Sequence, residues 1–304
     1  MSEHRNLISA GGNIAGRNKR YVVWFYILNL ACGWIGAIAA SRSIHALTDH
    51  SLYASRLLRS FDLEVFFELL GRPEIGPIGK FAAPANMMAI LFLVASLVIM
   101  PGVLLGYASD HRISRDEFYR ACGRNVWRFV RLFVFFLIIA GIISGILFSG
   151  LNALSNAADK TSNERLPYLV QLFGTIFILI ILTVLRIWFD LAQTDVVLQD
   201  QNAVRKSIAG AFRKTRHNLV PLLASYLAVA VVALAILVSG IVLWNQIVPP
   251  YSVLGAFIVS QATLLLLLAM RFWQRAVAVA FQVREITEPV IEETNSVPVF
   301  AAVS

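Results

Sequence analysis

"RNVWRFVRLFVFFLIIAGIISGILF", residues 124–148, sets three arginines in its first eight positions and then runs on without a charge. No Asp, Glu, Lys or Arg occurs from Leu132 to Ala158. A helix needs about 20 apolar residues to cross the roughly 30 Å hydrocarbon layer of a bilayer. This stretch supplies them, and the arginines stand where such a helix would meet headgroups. Uncharged runs recur at 21–41, 81–109 and 166–185. From His217 to Met270 there is again no full charge, which is long enough for two crossings. "NQIVPPY" (245–251) supplies the turn between them, because two prolines stop a helix. The fold class read here is all-α: a polytopic transmembrane helix bundle of six spans, with amphipathic interfacial helices in the cytoplasmic loops. The spans are placed at about 22–41, 86–107, 131–153, 167–188, 219–244 and 252–274. The runs do not alternate apolar and polar residues, which argues against a β-barrel.

Composition agrees. Of 304 residues, 58% are hydrophobic and 14% charged, whereas a soluble domain carries about 25% charged residues. Residues 1–284 are read as one transmembrane domain and 285–304 as a short, acidic, disordered cytoplasmic tail. "AIAASRS" after the first span looks like a signal-peptidase site, yet the apolar run is longer than a signal sequence needs, so an uncleaved anchor is expected. Cys32 and Cys122 belong to different segments, and no disulfide framework is expected.

Lys and Arg gather on the cytoplasmic side of membrane proteins. With the N-terminus inside, 19 basic and 11 acidic residues fall on the inner face, against 7 and 7 outside. The whole net charge of +8 then lies inside. Ser114 and Glu117 form a capping box, and a helix begun there carries Arg120, Arg124, Arg128 and Arg131 on one stripe. Phe118, Cys122, Val126 and Phe129 fall on the other face. This predicts an amphipathic helix at the membrane surface, drawn to anionic headgroups. The segment 204–219 repeats the device. Val204, Ile208, Ala211, Phe212, Thr215 and Leu219 share one face, and Arg205, Lys206, Arg213, Arg216 and His217 spread over the other. A weak internal repeat aligns "GILFSG" (145–150) with "AILVSG" (235–240), which matches Ala121 with Ala211, Arg124 with Lys214, Val130 with Val220 and Leu132 with Leu222. "RIWFDLAQ" (from Arg186) likewise echoes "RFWQRAVA" (from Arg271).

Four groups could bear chemistry. Arg186 and Asp190 stand one turn apart where the fourth span ends, and Arg271 and Arg275 hold the matching place on the sixth. They read as interface ion pairs, with Asp190 to Arg275 as a cross-helix pair that could close a mouth or bind an anionic headgroup. "HALTDH" offers His45, Asp49 and His50, but no third strong ligand follows at zinc-site spacing, so no metal site is expected. Asn29, Asn86, Asn152, Gln171 and Gln261 are expected to hydrogen-bond between helices. Gly141, Gly145 and Ser149, and likewise Cys32, Gly36 and Ala40, make small-residue faces suited to close helix packing. Between spans one and two, residues 42–85 form an extracytoplasmic loop holding a short helix from Asp62 to Gly71. No phosphate-binding loop, G-x-S-x-G, H-E-x-x-H or C-x-x-C is present. Neither an enzymatic activity nor a cofactor is therefore expected. The basic charge follows the membrane rule, so nucleic acid is not implied.

Two stretches carry a family resemblance. "MPGVLLGYASDHRISRDEFYRACGRNVWRFVRL" (100–132) resembles the helix-joining segment of uncharacterised bacterial multi-pass proteins. "RIWFDLAQTDVVLQDQNAVRKSIAGAFRKTRHNLVPLL" (186–223) is similar to the membrane domain that precedes glycerophosphodiester phosphodiesterases, whose catalytic domain has no counterpart in this chain. The resemblance implies an α-helical bacterial inner-membrane protein and supplies no catalytic residues. The expected function is non-enzymatic: action on the cytoplasmic face through anionic lipid headgroups at Arg120, Arg124, Arg128, Arg131, Arg213, Lys214 and Arg216, or through other membrane proteins. A small-solute permease or channel subunit is the alternative. Both termini are expected in the cytoplasm, so a reporter fused at residue 304 should be active only when it is of a kind that works there; activity from a periplasm-specific reporter would overturn the threading.

Overall fold

The computed structural model describes residues 2–48, 78–109, 111–161, 165–199, 204–249 and 252–296. Every element among them is an α-helix: α1 (Ser2–Arg17), α2 (Lys19–Thr48), α3 (Ile78–Ala108), α4 (Arg115–Ala158), α5 (Leu166–Leu198), α6 (Val204–His217), α7 (Leu219–Gln246) and α8 (Val253–Ser296). All except α1 and α6 are long and apolar enough to cross a membrane. Their apolar stretches are turned outward. Only 6% of the most apolar window of α4 is buried, 11% of that of α5, 6% of that of α7 and none of that of α8. Exposed apolar surface on this scale is costly in water. In lipid it costs nothing, while each helix satisfies its own N–H and C=O groups. The chain is a multi-pass membrane protein.

Several boundaries differ from the sequence reading. The arginine-rich surface helix and the third span are one continuous helix, α4. No proline falls between Arg115 and Ala158, so nothing interrupts the hydrogen-bond ladder. At 1.5 Å per residue its 44 residues extend about 66 Å, twice the hydrocarbon thickness. The arginines therefore ride on the axis of a spanning helix and do not lie flat beside it. Ser114 caps it as expected, accepting from the Glu117 N–H at 3.2 Å. The second basic helix, α6, does stand apart from its span. Pro221 has no N–H for the carbonyl of His217, and the helix breaks at Asn218.

The loop placed at 42–85 is shorter, since α2 continues to Thr48 and α3 begins at Ile78. The short helix read at Asp62–Gly71, together with Asp49 and His50, lies outside the described residues. The tail expected to be disordered from residue 285 continues as helix, α8 ending at Ser296.

Residues 1–284, read as one domain, contribute to two compact units. One comprises 18–99 and 230–272. In it the Phe25 ring meets Phe272 edge-on at 5.0 Å and Phe92 at 6.3 Å. Tyr26 donates to Gln261 Oε1 at 3.2 Å, one of the interhelical bonds expected of the span amides. At Gly36 α2 meets Ala85 and Met88 of α3. A cavity of about 440 Å³ lies between α2 and α3, walled by small and apolar residues with Asn29 at its edge.

The other unit comprises 1–17, 100–229 and 273–304. Its core brings together Leu132 of α4, Ile187, Leu191 and Ala192 of α5, Ala211 of α6, Leu222 and Tyr226 of α7, and Val277 and Ala278 of α8. This is the basic end of the spans. Two of the four aligned pairs share burial, Ala121 with Ala211 and Leu132 with Leu222, whereas Arg124 is exposed and Lys214 half-buried, and Val130 is half-buried and Val220 exposed. The two aligned tryptophans also play one role. Trp188 donates its indole N–H to the carbonyl of Ile208 on α6, and Trp273 to that of Ile8 on α1, both at 3.0 Å. The unanticipated α1 is thus a counterpart of α6, a short helix strapped to a spanning helix through a tryptophan. By contrast, Gly141 and Gly145 on α4 meet no other residue.

At Gly11, α1 lies directly against α8. A Cβ there would lie 2.6 Å from Val277 Cγ2 and 2.9 Å from the Val277 backbone nitrogen, whereas one on Gly16 would meet nothing. Gly11→Ala should therefore lower thermal stability in detergent by about 1–3 kcal/mol of overpacking. Gly16→Ala should raise it slightly, through helix propensity alone. Matching shifts in melting temperature would show that α1 does not dock.

Candidate functional site

The apolar run of α5 ends at Leu185 with the first charge at Arg186. One turn on, Asp190 is turned into the unit, with 4% of its side chain exposed. An isolated carboxylate would not stay ionised in such a place, and three partners surround it. Tyr226 of α7, fully buried, donates its hydroxyl to Asp190 Oδ2 at 3.0 Å. Arg186 Nε stands 3.8 Å from the same oxygen, and Arg275 Nε of α8 stands 3.9 Å from Oδ1. The tyrosine bond has ordinary hydrogen-bond length. The two guanidinium contacts are ion pairs, longer than the roughly 2.7–2.9 Å of a charge-assisted hydrogen bond. Gln274, one residue before Arg275, donates to the Tyr226 carbonyl at 3.2 Å and pins α8 to α7. Arg275 also points Nη1 at the sulfur of Met100 on α3, 3.3 Å away.

The structure therefore brings together three of the four residues marked as interface ion pairs: Arg186, Asp190 and Arg275. Arg271, a turn earlier on α8, is exposed. Two cations, one from α5 and one from α8, thus share the single carboxylate of Asp190.

A second node lies further along α5. Asp195, buried, and Glu285 on α8 both engage Lys214 of α6, at 3.5 and 3.0 Å. Lys214 was placed among the headgroup contacts on sequence; it is a bridge between three helices. Gln282, also buried, donates to the Leu191 carbonyl at 2.8 Å.

The other members of the headgroup set are distributed unevenly. Arg120, Arg124, Arg131, Arg213 and Arg216 are exposed. Arg131 lies over the Trp127 ring at 5.4 Å. Arg128 is half-buried and donates to Asn125 Oδ1 at 3.1 Å. The opposite face of α4 buries Phe118, Cys122 and Phe129 as expected, with Asn125 added among them. Asn125 tolerates that place because its amide donates to the Ala121 carbonyl. Phe212, assigned to the inner face of α6, is 53% exposed and meets Trp188 edge-on. Among the described residues no cluster of three His, Cys, Asp or Glu could hold a metal. Comparison with known protein families, curated proteins and solved structures finds no match for this chain.

Tyr226, Gln274 and Glu285 were not legible as site residues. Tyr226 stands in an otherwise apolar run, "LLASYLAVAVV", and a phenol inside a span has to find an acceptor. That was the one available signal, and it names no partner.

Asp190→Ala should destabilise the protein more than Asp195→Ala. It strands a buried hydroxyl and removes the carboxylate that Arg186 and Arg275 share, a loss of roughly 3 kcal/mol. The check is thermal unfolding in detergent; equal melting temperatures would rule out the node as a structural centre.

Proposed function

We propose that this multi-pass membrane protein acts without catalysis, by holding anionic lipid headgroups on its basic end. The single observation that carries this reading is the arginine stripe of α4. Arg120, Arg124 and Arg131 are exposed on a helix that passes unbroken into an apolar, outward-facing stretch. Arg131 stands where the apolar stretch ends, and Arg124 and Arg120 carry the positive charge outward along the axis; a basic residue near an acidic lipid surface is worth about 1 kcal/mol toward it, falling off within a Debye length. Arg213 and Arg216 of α6 extend the basic surface, and Lys214 is not needed for it. In this reading the basic end is cytoplasmic, the membrane is a bacterial inner membrane, and the partners are lipids and other membrane proteins. The likeness of 186–223 to the membrane domain preceding glycerophosphodiester phosphodiesterases supports that setting and lends no activity.

The test compares the wild-type chain with one carrying Arg120→Gln, Arg124→Gln, Arg213→Gln and Arg216→Gln. Each is offered equal amounts of phosphatidylglycerol and phosphatidylcholine in detergent and examined by native mass spectrometry. The wild-type preference for phosphatidylglycerol should fall by on the order of tenfold or more in the variant. An unchanged ratio would sink the proposal.

A further inference from the structure

Beyond the diffuse basic surface, we infer that Arg186, backed by Arg275, seats the phosphate of one anionic phospholipid molecule. The inference deepens the headgroup reading and rests on it, but it concerns different residues from the exposed stripe.

Three observations converge on Arg186. The first is its place: it is the first charge after the uncharged run 166–185, where the helix passes from apolar to polar sequence. The second is unused donor capacity. Its only close acidic neighbour among the described residues is Asp190, which its Nε approaches no closer than 3.8 Å. The same carboxylate oxygen already takes the Tyr226 hydroxyl at 3.0 Å. A guanidinium carries five N–H donors in a planar fork suited to two phosphate oxygens. With 37% of its side chain exposed, Arg186 can present that fork outward. The third is the surface leading to it. Counting back from Arg186 by 7, 10 and 14 positions along one helix stripe reaches Leu179, Ile176 and Leu172. Their exposures are 56%, 46% and 55%. An acyl chain lying along this stripe brings its own phosphate to Arg186. A free phosphate ion has no use for such a track, so the occupant is a lipid.

Asp190 is then the internal counter-ion of the seat. It keeps two guanidinium groups, carried by α5 and α8, beside each other, and Arg186 meets it only at 3.8 Å. Removing its charge without its acceptor should strengthen anion binding, and that sign is what a purely structural ion pair would not produce. Asp190→Asn retains a carbonyl for the Tyr226 hydroxyl.

The experiment titrates delipidated full-length protein with phosphatidylglycerol and follows the first lipid adduct by native mass spectrometry. Arg186→Gln is expected to weaken that adduct about tenfold, the loss of one charge-assisted contact. Asp190→Asn is expected to tighten it. The four-arginine variant of the exposed surface is expected to keep it, while losing the weaker, later adducts. Excess inorganic phosphate should leave the first adduct in place. If Arg186→Gln binds the first lipid as the wild type does, or if Asp190→Asn weakens it, the seat is disproved even where the exposed-stripe variant behaves as proposed. Displacement by inorganic phosphate alone would make it a site for the free ion and overturn the lipid assignment.

Discussion

Lipid gives one apolar helix no reason to prefer another over its surroundings, because acyl chains are as apolar as leucine. Whatever holds the unit formed by 1–17, 100–229 and 273–304 must therefore come from somewhere other than the outward-facing apolar stretches. The structure places it at the basic end. There the helices bury side chains against one another, and α1 and α6 close over α8 and α5. Two indole N–H groups, each given to a carbonyl of a neighbouring helix, fix those short helices in register. The apolar parts of α4, α5, α7 and α8 mostly face outward, and touch closely at a few places, Leu151 against Gly174 and Thr263 against Gly240.

Against that background the buried charges are informative. Moving an acid out of water costs several kcal/mol unless partners replace its hydration. Asp190 and Asp195 are both nearly inaccessible, and both are met by cations on other helices. A hydrophobic side chain in either place would pack as well, so stability alone does not account for a charge there. What the ion pairs add is specificity: Asp190 has partners on α7 and α8, and Lys214 links α5, α6 and α8. Each defines which helices are neighbours in a way that interchangeable leucines and valines do not.

The division of labour among the arginines follows from the same economy. Arg275 and Lys214 are turned inward and serve the fold, and Arg128 is half committed to Asn125. Arg120, Arg131, Arg213 and Arg216 stay at the surface, where their charge is available to anionic lipid. Arg186 stands between the two groups, paired on one side and exposed on the other. Charge count along the sequence treats all of these alike, although they face different surroundings.

Sequence alone determined the solvent and the spanning helices, though not α1 or the helical end of α8. Uncharged runs of about 20 residues can only be lipid-crossing helices, and their number and order follow from counting. It also located both basic amphipathic segments, because a periodicity of 3.6 separates Phe118, Cys122 and Phe129 from the arginines without any knowledge of partners. The Arg186–Asp190 pair was legible for the same reason, being local to one helix. What only the tertiary structure decided is everything that depends on distance between helices. The strapping of α1 by Trp273, the capture of Lys214 by Asp195 and Glu285, and the meeting of Tyr226 with Asp190 across 36 positions all turn on which faces meet. Apolar faces in lipid are nearly interchangeable, so the pattern of hydrophobic residues does not encode those meetings, and a few buried polar groups do.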